Sequence, residues 1–177
     1  RLDCAEPSII VSGVPFFDHM LNSMARHGRF QVNLSCRGDH AIDDHHSVED
    51  IGICLGRALA QALGERAGIH RFGDATVPMD DALTQVAVDI SGRAFFSYRG
   101  GALSGQINRY SEELTLEFLR AFADNAGVNL HVVQIYGENR HHIHESIFKA
   151  LGVAIRRAVL ADPSLGGAVA STKGTLE

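Results

Sequence analysis

HHSVEDIGICLG, residues 45–56, and its near copy HHIHESIFKALG, residues 141–152, decide the fold. Either one alone reads as the polar first turn of a helix, where acids suit the positive end of the helix dipole. Together they stand in register. His45 aligns with His141, His46 with His142, Glu49 with Glu145 and Gly56 with Gly152. The match also extends upstream. Each copy is preceded by a helical pattern, a glycine (Gly28 or Gly127), an alternating strand pattern and a glycine–acid pair (Gly38-Asp39 or Gly137-Glu138). The connector before the first copy is three residues longer. This repeat predicts an α/β (α+β) fold in one domain. It would have two similar halves, about residues 1–90 and 91–177, related by a pseudo-twofold axis. Each half would be a small mixed sheet with helices packed on one face.

Periodicity fills in the elements. Phe17, Leu21 and Met24 predict a helix over 16–25, and Val48, Ile51, Leu55, Leu59 and Leu63 predict one over 45–63. Further helices are predicted over 114–126 and 141–160, with strands over 30–36, 83–90, 94–98 and 128–135. The glycine-rich segment 99–110 reads as a loop, and the tail GGAVASTKGTLE as extended or mobile.

Composition narrows the function. The chain has 177 residues, 45% hydrophobic and 21% charged, enough to bury a core. Its net charge of −5, low aromatic content and lack of a basic block argue against a nucleic-acid surface. No run approaches the ~18 apolar residues of a membrane span, and the first residues carry no secretory signal pattern. The three cysteines form no CxxC, which predicts buried thiols in a reducing compartment. A cytoplasmic location is expected, or a plastid one if a transit peptide precedes the chain. Ten histidines is a high number, and they cluster beside acids rather than in one terminal run.

That clustering has geometric content. Residues i and i+4 share a helix face. His45 with Glu49, and His141 with Glu145, can therefore each converge on one ion. The histidine at i+1 is turned about 100° away, so His46 and His142 should reach a neighbouring ion. A crossed solution follows: His45, Glu49 and His142 on one metal, and His141, Glu145 and His46 on the other. His19 and His131 can complete the two shells, leaving room for water or substrate, as catalytic metals require. Imidazole-rich sites suit Zn, Fe, Ni or Cu, and Mn is also allowed. His144 is left off the metals because Val48 occupies its place in the first copy. His27, His40 and His70 read as surface or supporting groups, and Asp80 and Asp81 as supporting acids or turn residues. Arg71, Arg93 and the tail's Ser171, Thr172 and Lys173 point to a phosphate or carboxylate partner, although each cation taken alone reads better as surface charge.

The stretches PFFDHMLNSMARHG, GDHAIDDHHSVEDIGICLG, RFGDATVPMDDAL, DISGRAFF, HHIHESIFKALGVAIRRA and STKG span nearly the whole chain in order. With them the sequence resembles the imidazoleglycerol-phosphate dehydratases of histidine biosynthesis. The resemblance implies a hydro-lyase that removes water from imidazole glycerol phosphate to give imidazole acetol phosphate. It implies two Mn(II) ions per active site and a homo-oligomer of 24 subunits with active sites at interfaces. Its ligand pattern falls on His19, His46, His141 and Glu145 for one ion, and on His45, Glu49, His131 and His142 for the other. Its substrate contacts fall on His19, His27, Arg71, Arg93, Lys149, Ser171, Thr172 and Lys173. The family pattern also has a strand with a substrate-reaching glutamate, upstream of the position that Arg1 occupies. Glu49, Glu145, His45 and His141 are the candidate catalytic groups.

The reaction is demanding because the leaving proton is not next to a carbonyl. Metal coordination favours a deprotonated imidazole ring, and such a ring can expel the hydroxyl before the proton leaves. Two other classes use similar ligands: a dinuclear metallohydrolase on a small phosphorylated substrate, and a histidine-rich metal buffer or sensor. The Arg71, Arg93 and tail set counts against the buffer.

Overall fold

The computed structural model describes Arg1, Leu2, Cys4 and residues 6–176. Its elements run in chain order as β1 (Ile9–Val11), α1 (Pro15–Gly28), β2 (Asn33–Ser35), α2 (His45–Leu63), β3 (Phe72–Met79), β4 (Ala82–Asp89), β5 (Phe95–Arg99), β6 (Gln106–Ile107), β7 (Tyr110–Ser111), α3 (Leu114–Ala126), β8 (Asn129–Tyr136) and α4 (Arg140–Val159), with a 3-10 turn at Pro163–Leu165. All four helices form where the apolar spacing predicts them.

Local chemistry sets their ends. Pro15 opens α1 with its backbone angle already fixed, Asp18 lies in the first turn, and Arg26 and His27 lie in the last. Gly127 closes α3 in the left-handed conformation, donating its N–H to the Ala123 carbonyl.

The main sheet is mixed, with strand order β3-β4-β8-β5. β4 is antiparallel to both β3 and β8, and β5 runs parallel to β8. Its inward positions, including Ala75, Val86, Val88, Leu130 and Val132, are buried under the helices. Phe72, Phe95, Val133 and Ile135 stand exposed on strands of the same sheet. In the first half, β1 and β2 pair in parallel over three residues each. The expected strand over 30–36 thus shrinks to its centre.

Three expectations need correction. Strand β3 falls outside the predicted elements, because its inward residues are Gly73, Ala75 and Val77 and it contains Pro78. The small residues are needed for the fit, since a Cβ at Gly73 would lie 2.1 Å from the Ala154 carbonyl oxygen of α4. The proline is tolerated because β3 is an edge strand. The predicted loop over 99–110 contains most of the short β6–β7 hairpin, turned at Asn108 with φ 56°. Only Cys4 of the three free thiols is buried; Cys36 is half-buried, and Cys54 lies on the exposed side of α2. The tail is pinned at three points, one of them the Gly68 N–H donating to the Ala168 carbonyl at 2.9 Å. Arg66 Nη1 donates to the Leu176 carbonyl and Arg71 Nη1 to the Ala170 carbonyl.

Helix pairing is crossed between the halves. α1 packs on α4, and α2 packs on α3. The aligned glycines sit at these crossings. A Cβ at Gly152 would lie 2.2 Å from the Met24 carbonyl oxygen, and one at Gly56 would lie 2.6 Å from the Phe122 carbonyl oxygen. A buried polar chain lies beside the crossing. Tyr110 Oη and Thr115 Oγ1 are 2.8 Å apart, and Thr115 Oγ1 lies 2.8 Å from His144 Nδ1. Burial, then the charges of His141 and Arg140, pushes the His144 pKa down to about 4.

Gly152→Ala and Gly56→Ala should each destabilise the fold by about 1–3 kcal/mol, because backbone must move. Gly101→Ala meets only the end of Gln134, at 3.8 Å, and should change stability by less than about 0.5 kcal/mol. Denaturant unfolding measures all three. His144 has a folded pKa below its unfolded value, so the unfolded state binds its proton first and stability falls as pH drops below about 6.5. Between pH 7 and 5 the wild type should lose about 1–2 kcal/mol more than His144→Gln, measured by urea unfolding at each pH.

Candidate metal centre

The α1–α4 crossing assembles three of the predicted ligands. His141 and Glu145 lie one turn apart on α4, whose start is capped by Asn139 accepting from the His142 N–H at 3.3 Å. α1 brings His19 against them. Glu145 Oε2 lies 3.7 Å from His19 Nε2 and 3.3 Å from His141 Nε2. One ligand atom from each residue lies within 4.8 Å of the others, the one such group among the described residues. Ligands about 2.1 Å from a shared ion in tetrahedral geometry stand about 3.4 Å apart. The donor set therefore fits a metal in both spacing and chemistry. Phe16 packs edge-on to His141 with ring centroids 5.3 Å apart.

The other Glu145 oxygen is taken. Lys149 Nζ lies 2.9 Å from Oε1 and 3.1 Å from Met79 Sδ. Burial works to raise the Glu145 pKa. The hydrogen bond and charge of Lys149, with His19 and His141, outweigh it and hold the carboxyl below its usual range. Glu145 is thus an anion with one oxygen aimed at two imidazoles.

The remaining ligand candidates are separated within the chain. On α2, the His45 N–H donates to Asp43 Oδ1 at 2.8 Å, and His45 Nε2 stands 3.9 Å from Glu49 Oε2. His46 diverges as its position on the helix requires, its ring perpendicular to that of His45. His46 Nδ1 lies 2.9 Å from Asp39 Oδ2. That bond raises the His46 pKa and lowers that of Asp39. His142 Nδ1 bonds Asp81 Oδ1, and Asp80 Oδ2 lies 3.6 Å from His142 Nε2. The Asn139 N–H, then the His142 ring and the Glu138 N–H, hold Asp81 far below the carboxylate range. His131 is exposed on β8, 5.4 Å ring to ring from Phe95.

The expected substrate groups fall into two places. His19 and His27 line one cleft of about 880 Å³ with Asn22, Arg26 and Arg29. Burial, then the Lys149 charge, lowers the His27 pKa. Arg71 is bound in bidentate fashion to Asp89 at 2.7 and 3.1 Å, and its third nitrogen holds the tail at Ala170, next to Ser171. Thr172 follows in the same tail, and the Lys173 N–H donates to Ser171 Oγ at 3.2 Å. The Arg93 carbonyl accepts from Asn129 Nδ2 at 2.6 Å. Sequence reasoning uses Asp39 only as punctuation before the repeat, and passes over Phe16 and Met79. Asp39 was findable as an acid one spacer ahead of a histidine pair. Phe16 and Met79 carry no local signal, because tertiary packing alone brings them to the site.

A family model described as imidazoleglycerol-phosphate dehydratase matches residues 12–155. The imidazoleglycerol-phosphate dehydratase of Leptospira biflexa is 56% identical over 164 residues, covering 93% of this chain and 83% of that protein. The one from Azorhizobium caulinodans is 50% identical over 176 residues, covering 99% and 89%. The crystal structure of the Staphylococcus aureus imidazoleglycerol-phosphate dehydratase superposes with a TM-score of 0.84 at 38% identity, covering 90% of each chain. With its paired histidine motifs and its His19–His141–Glu145 cluster, the chain belongs to the imidazoleglycerol-phosphate dehydratase family.

Proposed function

We propose that this protein is a hydro-lyase that eliminates water from imidazole glycerol phosphate to give imidazole acetol phosphate, a step of histidine biosynthesis. The observation that carries the reading is the convergence of His19, His141 and Glu145, on a scaffold whose relatives bear that name. Two Mn(II) ions are the proposed cofactors. When bound, they would favour the deprotonated form of the substrate's imidazole ring.

The chain's own residues do the rest. His19, His141 and Glu145, joined by His46, would hold one ion; His45, Glu49, His131 and His142 would hold the other. Lys149 keeps Glu145 ionised and oriented. Glu49 and Glu145 are the carboxylates available to accept the proton from carbon, with His45 and His141 beside them. The cleft lined by His19 and His27 carries Arg26 and Arg29 at its wall, a cationic setting for a phosphorylated substrate. Arg71, Arg93, Lys149, Ser171, Thr172 and Lys173 would fix the phosphate end. Arg71 would have to share its guanidinium with Asp89 or release it on binding.

A homo-oligomer suits this arrangement. Among the described residues His45, Glu49, His131 and His142 form no common cluster, so in this reading a second copy completes the set. The exposed Phe72, Phe95, Val133 and Ile135 offer an apolar surface for such a contact. The proposed assembly has 24 subunits, as the family resemblance implies, with no nucleic-acid or membrane partner. No helix among the described residues is long and apolar enough to cross a membrane. Unpaired thiols suit the cytoplasm. No observation favours the metallohydrolase.

Full-length protein loaded with Mn(II) should convert imidazole glycerol phosphate to the ketone, followed by its absorbance. Absence of product, or release of inorganic phosphate instead, would sink the reading. Elemental analysis should find two ions per subunit. His45→Ala and His142→Ala should each lose one, and unchanged stoichiometry in either would break the crossed ligand sets. Glu145→Gln should lower kcat/KM by at least about 100-fold, given that outer-shell partners alone are worth 10–100-fold.

A further inference from the structure

His46 and His142 are the two histidines that do not stand four residues before their own motif's glutamate, and that the crossed reading sends to a neighbouring ion. Each presents Nδ1 to a carboxylate, Asp39 at 2.9 Å for His46 and Asp81 for His142. An ionised carboxylate only accepts hydrogen bonds. In the neutral ring Nδ1 therefore carries the proton and Nε2 keeps its lone pair, which in His142 lies 3.6 Å from Asp80 Oδ2, the contact a metal would replace. That tautomer is the minor one for a free imidazole, and the one a metal at Nε2 requires.

The two acids do not come from equivalent places in the repeat. The residue that aligns with Asp39 is Glu138. The carboxylate on His142 is instead Asp81, from the turn between β3 and β4. Asp81 Oδ2 accepts from the backbone N–H groups of Glu138 and Asn139, both at 2.8 Å. The hairpin turn is thereby anchored to the start of α4, with its other oxygen on the ring. The same chemistry is thus built twice, by a loop in one half and by a strand turn in the other.

We infer that Asp39 and Asp81 are positioning residues that fix His46 and His142 in the Nε2-free tautomer, and so make these two histidines competent to bind a metal held mainly by the other motif. This rests on the metal reading above, and its test separates the two. In the metal-free protein, ¹⁵N NMR of the imidazoles at about pH 8.5, above the usual imidazole pKa, should show His46 and His142 protonated at Nδ1. Asp39→Ala, which leaves no acceptor on Nδ1, should return His46 to the Nε2–H form, and Asp81→Ala should do the same for His142. In the holoenzyme each variant should bind one of its two Mn(II) ions about 10–100-fold more weakly, by calorimetry. Asp81→Glu should recover part of that loss.

Asp81→Ala also removes two backbone contacts at the start of α4, so Asp39→Ala is the cleaner variant. Finding both wild-type rings in the Nε2–H form would overturn the inference, as would wild-type Mn(II) affinity in both variants. A wild type that binds no Mn(II) would overturn the functional reading, while the tautomer measurement would still decide the role of the two acids.

Discussion

Everything at the metal cluster depends on how closely two helix backbones can approach. At Gly152 there is room only for hydrogen between α4 and the Met24 carbonyl of α1. That contact sets α1 at a height where His19 faces the His141–Glu145 turn. Gly56 does the same for α2 against α3. The buried aromatic group of Phe17, Phe118 and Phe148 fills the space between the crossings, with ring centroids 5.1–6.2 Å apart. Apolar burial supplies the driving force, but the two glycines decide where the helices come to rest.

The electrostatics of the cluster follow from that placement. Glu145 is largely withdrawn from water, which disfavours its charge. Lys149, one turn further along α4, restores the balance and occupies one oxygen. What remains is a single directed lone-pair donor between two imidazoles. Glu49, in the equivalent place on α2, is half-exposed and stands 3.9 Å from His45. The two copies of the motif are alike in sequence and unlike in environment.

Much of this was legible in the sequence, for identifiable reasons. Helices α1 to α4 carry clean apolar periods, and Gly56 and Gly152 match across the repeat, although only the structure shows the close contacts they make. The divergence of His45 from His46 follows from helix geometry alone. His144 bonds Thr115 and is not in the His19–His141–Glu145 group. Strand β3 was illegible because its inward side chains are small where it rides on α4, which erases the alternation that identifies strands. The partners of Nδ1 were illegible for a different reason. Asp81 meets His142 across 61 residues of sequence, and only the folded hairpin reveals which of several acids reaches the ring.

The crossed packing of the helices has a consequence for how the chain is joined. Each half lends its first helix to the other half's second, so neither half can bury its own glycine-marked face. Two separate half-length chains could form the same crossings only by associating, at a rate and extent set by their concentration. Joining them in one polypeptide replaces that association with an internal one, whose effective concentration is set by the connecting segment. The connection through β3, β4 and β5 is thus more than a spacer: β3 and β4 roof α4, β5 lies against α3, and the exchanged helices stay tied to one another.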